Sequence, residues 1–119
     1  MKVRSYEDLV VWQKSMTLAK EAYRLQRGLP KEETFALGDQ IRRAAVSIPS
    51  NIAEGFGRDT DKEFKRFLSV ARGSLYELKT QLQLAESLDY VQMDSDFVAL
   101  MDEVGMLLNG LSRRLTTNC

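Results

Sequence analysis

The side chains with most to offer a reaction here are carboxylates. Glu54 and Glu77 are the general-base candidates, but no nucleophile or metal constellation accompanies either of them. Glu32, Glu33, Glu54 and Glu63 do not reproduce the Glu-x-x-His pairs of a di-iron bundle, and the chain has no His to supply the nitrogens. The same lack excludes an imidazole base, most zinc sites and any Ser-His or Cys-His nucleophile pair. Gly55-Phe56-Gly57-Arg58 is a poor phosphate loop, with no Lys-Ser/Thr after it and no strand before it, and reads as a helix stop and turn. The single Cys is Cys119, at a chain end, and reads as an incidental free thiol. The expectation is a protein that is not an enzyme, with no catalytic residue, no metal site and no cofactor.

Binding chemistry has more to work with. Lys+Arg and Asp+Glu number 17 each, so the net charge is zero and no global field draws the chain to nucleic acid or anionic lipid. The charge is uneven all the same: residues 1–72 hold 14 basic and 10 acidic side chains, +4, and residues 73–119 hold 3 and 7, −4. One reading is a basic face that meets phosphate, with Arg42, Arg43, Arg58, Lys65 and Arg66 pairing phosphates and Asn51 making a polar or base contact. Another is head-to-tail packing of subunits, basic against acidic, into a closed ring. The third is a bundle whose charges are simply solvated.

Two polar rows keep helical spacing: Gln40, Arg43, Ser47, Asn51, Glu54, and Ser74, Glu77, Gln81. They are either a solvated face or an interface between subunits, with Ser47, Glu54, Ser74, Glu77 and Gln81 as its candidates.

Helices must position all of these. Apolar residues recur at steps of three and four, and breakers are few, with two Pro and seven Gly. The spacing predicts four helices and no sheet. The first carries the stripe Leu9, Trp12, Met16, Ala19, Tyr23, is capped by Ser5 with Asp8, and ends at Gly28 and Pro30. The second opens with Glu32-Glu33 and carries Leu37, Ile41, Ala44, Ile48, Ile52; Pro49 predicts a kink within one helix rather than two helices. The third starts at Thr60 with Glu63, carries Phe64, Leu68, Ala71, Leu75, Leu78, Leu82, Ala85, and breaks at Asp89-Tyr90. The fourth, capped by Asp94 or Ser95, runs from Phe97 through Leu100, Val104, Leu107 and Leu111 to Leu115. Short connections make neighbours antiparallel, so the expectation is all-α: one domain over residues 1–119, an up-down four-helix bundle. The first residues lack a signal-peptide core and no stretch approaches the roughly 18 apolar residues of a membrane span, so a cytoplasmic setting without membrane contact is expected.

The segments Tyr6 to Lys14, Leu37 to Ala45, Ser47 to Gly55 with Gly57-Arg58, Glu63-Phe64 and Ala71 to Leu78 resemble the four-helix bundle proteins named for intervening sequences in 23S ribosomal RNA genes. The resemblance spans nearly the whole chain. It implies an antiparallel four-helix bundle, a homopentameric ring as in related proteins, and no enzymatic activity. It leaves RNA, or an RNA-processing protein, as the implied kind of partner. The chain is also similar to the accessory protein of diversity-generating retroelements, a basic pentameric bundle that binds nucleic acid and a reverse transcriptase, and departs from it in having zero net charge.

Overall fold

The structure, a computed structural model, describes residues 3–115; Cys119 lies outside them. Four helices follow one another: α1 Val10–Gln26, α2 Leu37–Phe56, α3 Asp61–Ser87 and α4 Ser95–Arg114. Short 3-10 turns, Tyr6–Asp8 and Lys31–Glu33, precede α1 and α2, and the described residues contain no strand. Each helix packs on the next and α4 returns to α1, closing an all-α up-down bundle of 47 × 25 × 22 Å.

Local chemistry sets the ends of the elements. Thr60 Oγ1 accepts a hydrogen bond from the Glu63 backbone N–H at 3.1 Å, and Asp94 Oδ1 accepts one from Phe97 N–H at 2.8 Å, so α3 and α4 start at their caps. Ser5 and Asp8 do form a reciprocal capping box, but around the turn Tyr6–Asp8; α1 begins two residues later with no side-chain cap. Glu32 and Glu33 likewise belong to the turn Lys31–Glu33, and α2 begins only at Leu37. Asp89, with φ 63°, takes the left-handed conformation that ends α3.

Pro49 is buried inside α2, which is one helix from Leu37 to Phe56 and not two. Continuity is what the structure establishes there; the kink stays an expectation. Gly55 is not part of the stop. It lies buried within α2, where an added Cβ would stand 2.6 Å from Phe67 Cβ and 2.9 Å from Phe64 Cδ1, so its missing side chain is what lets α3 approach. Gly57 is the residue that ends the helix.

The inward rows of α2 and α3 are those expected: Ile41, Ala44, Ile48 and Ile52 face Phe64, Leu68, Ala71, Leu75, Leu78 and Leu82 across one core. Each fully buried Leu or Ile contributes about 2 kcal/mol of transfer free energy. The inward row of α1 differs. It is Val11, Ser15, Leu18 and Ala22, whereas Trp12 and Ala19 are half-buried and Met16 and Tyr23 are exposed.

Candidate functional site

α2 and α3 run antiparallel from the turn at 57–60, so their polar rows meet side by side. Ser47 Oγ lies 2.8 Å from Ser74 Oγ, and Asn51 Nδ2 donates to Ser47 O at 2.8 Å and to Ser47 Oγ at 2.9 Å. Ser74 is buried, so its hydroxyl needs this partner. Beside the pair lies a shallow cavity of about 350 Å³ lined by Gln40, Arg43, Ser47, Glu77 and Gln81. Gln81 Oε1 is buried with no hydrogen-bond partner among the described residues, and neither Arg43 nor Glu77 has a polar partner there. The seam thus gathers Ser47, Ser74, Glu77 and Gln81 of the interface candidates. Glu54 is elsewhere, paired with Arg58 at 3.0 Å.

The basic candidates do not form one patch. Arg43 lies in the second turn of α2 and Arg58 just past its far end, and the thirteen residues of helix from Arg43 to Phe56 alone span about 20 Å. Arg42 is an internal tie: its guanidinium donates to Gln26 Oε1 at 2.6 Å, to the Thr34 carbonyl at 2.8 Å and to Asp39 Oδ1 at 2.6 Å. That joins the end of α1 and the connecting loop to the first turn of α2. Arg58 and Arg66 lie 4.8 and 4.9 Å from the centre of the Phe67 ring, and Arg66 also pairs with Glu63 at 3.1 Å. The hydrogen bond and charge of Arg66, helped by the more distant Arg58 and Lys62, hold the Glu63 carboxyl below its ordinary range. Lys65 sits half-buried one residue from Arg66, and Asn51 is bound to Ser47.

A second groove was not foreseen by spacing. Between α1 and α2 an open, mostly apolar trough of about 600 Å³ is lined by Tyr6, Trp12, Met16, Tyr23, Val46 and Pro49, with Lys20 and Arg27 at its rim. Tyr6 packs edge-on against Trp12, with ring centres 5.2 Å apart. The signal was present: α1 carries two adjacent apolar rows, wider than one buried face requires.

Among the described residues no group of three or more His, Cys, Asp or Glu is placed to hold a metal ion, and no helix is long and apolar enough to cross a membrane.

The family model described as 23S rRNA-intervening sequence protein matches residues 7–112. No curated protein matches the chain. Among solved structures, a protein of unknown function from the S23 ribosomal protein family of Bacteroides thetaiotaomicron VPI-5482 superposes with a TM-score of 0.64 at 22% identity, over 89% of this chain and 94% of that one. At that identity the likeness speaks for the fold.

Proposed function

We propose that this chain, which belongs to the 23S rRNA-intervening sequence protein family, acts by assembly and not by catalysis, as a cytoplasmic homo-oligomeric scaffold. The pentameric state implied by the resemblance is the one this reading adopts. The observation that carries it is the open groove between α1 and α2, where the lone Trp, Trp12, and the exposed Met16, Tyr23 and Val46 meet on one surface. A contiguous apolar trough rimmed by charge is what an unpartnered interaction surface looks like. Light scattering on the purified protein tests this: several copies of the 13.6 kDa chain are expected, and a monomer at every concentration would overturn it.

A second reading keeps RNA, or an RNA-processing protein, as partner. It is favoured by Arg58 and Arg66, which stack on Phe67 beside the α2–α3 turn, with Lys62 and Lys65 in the first two turns of α3. Arg58 and Arg66 already have carboxylate partners, and Arg42 is committed inside the fold, which weighs toward the scaffold. Affinity for a structured ribosomal RNA fragment across a salt series separates the two. RNA contact requires a log–log slope of about −0.7 to −0.9 per neutralised phosphate. Absence of binding at low salt would retire the RNA reading.

A further inference from the structure

We infer that a second copy of this chain fills the α1–α2 groove by laying the outer ridge of its α3 into it. This deepens the assembly proposed above and rests on it.

The groove has an apolar floor and two cations at its rim. Lys20 and Arg27 pair with no carboxylate among the described residues, and no carboxylate lines the trough. The complement is on the same chain. Along α3, Val70, Glu77 and Leu84 recur every seven residues and so share one face; Val70 is 46% exposed and Leu84 50%. Glu77, between them, is exposed and also unpaired. At Gly73, beside this ridge, an added Cβ would meet nothing within 4 Å, so a neighbouring helix has room to approach. A ridge of two aliphatics with one free carboxylate therefore matches a trough with two free cations in both shape and charge.

The outer face of α4 is the competing ridge, since Met106 and Val98 are exposed there. Of the three carboxylates of α4, Asp102 and Glu103 are already engaged, with Lys79 at 3.3 Å and Lys14 at 3.5 Å, which leaves only Asp96, in the first turn of the helix, and puts no unpaired anion between Val98 and Met106.

Groove and ridge lie on different faces, one on each side of α2. Such a contact is head-to-tail: every copy gives a ridge and receives one. It closes into a ring where the rotation between successive copies returns to its start, and otherwise extends as a filament.

Charge reversal tests the contact. Lys20→Glu with Arg27→Glu on the groove, or Glu77→Lys on the ridge, is expected to raise the subunit dissociation constant by about a hundredfold with unchanged far-UV circular dichroism. All three reversals in one chain are expected to restore the wild-type subunit count. Trp12 fluorescence reads the groove directly, and Glu77→Lys is expected to shift it to the red as a neighbour's α3 leaves and water enters. A monomeric wild type would overturn the assembly and this contact together. An oligomeric wild type whose subunit count and Trp12 emission none of these reversals alters would overturn this contact alone.

Discussion

Ser47 Oγ and Ser74 Oγ stand 2.8 Å apart across the seam of α2 and α3, one hydroxyl from each of the two polar rows. Their contact turns two rows that would look solvated in isolation into a hydrogen-bonded link between helices, with Asn51 holding Ser47 from one turn away. Ser74→Ala is expected to cost about 1 kcal/mol, the usual net value of a hydrogen bond. In a double-mutant cycle with Ser47→Ala the two should couple by about 0.5–1 kcal/mol in urea unfolding. Strict additivity would mean that the pair contributes nothing as a pair.

Gly55→Ala places a methyl group 2.6 Å from Phe67 Cβ, an atom that no rotamer change can move away. Either α2 and α3 separate or the backbone yields, and the expected loss is about 1–3 kcal/mol by chemical denaturation. Gly110→Ala is the control. There the new Cβ meets nothing within 4 Å, and helix propensity alone should raise stability by up to about 1 kcal/mol.

Arg42 holds three partners, Gln26 and Thr34 in two other segments and Asp39 in its own helix, so Arg42→Ala should lower stability by about 2 kcal/mol, visible as a lower melting temperature. Lys cannot reproduce a fork of donors aimed at an amide, a carbonyl and a carboxylate, so Arg42→Lys should recover little of it. Full recovery by Lys would show that charge, not geometry, is what matters at this position.

Glu63 carries the pH dependence that can be assigned. Its carboxyl is held low in the folded state, so its contribution is present above the carboxylate range and is lost as pH falls through the folded value. Arg66→Ala should move the Glu63 titration, followed by carboxyl NMR, upward toward the ordinary range. High salt should do the same in the unaltered protein, because the pair is exposed and screened. With no His in the chain, stability should change little between about pH 6 and 8.

The α3 stripe from Phe64 to Ala85 was readable from spacing alone, because a long helix with one buried face writes its period into the chain. The caps at Thr60 and Asp94 were readable for a related reason: a cap is a local contact, complete within four residues. Long-range contacts were not. The uneven charge made Arg42 a candidate, with Arg43, for a basic face, and only the fold brings Gln26 and Thr34 to its guanidinium. Gly55 resembled a helix stop until the turn at 57–60 carried Phe64 and Phe67 back against it.

The clearest division lies in α1. Its sequence determined a helix with two neighbouring rows, Val11–Ser15–Leu18–Ala22, apolar but for its serine, and Trp12–Met16–Ala19–Tyr23. Periodicity fixes the angles between side chains around one axis but not the direction of the neighbours, so it cannot say which row turns inward. The packing of α2 and α4 on α1 decided that: the first row went into the core, and the second was left as the wall of an open groove.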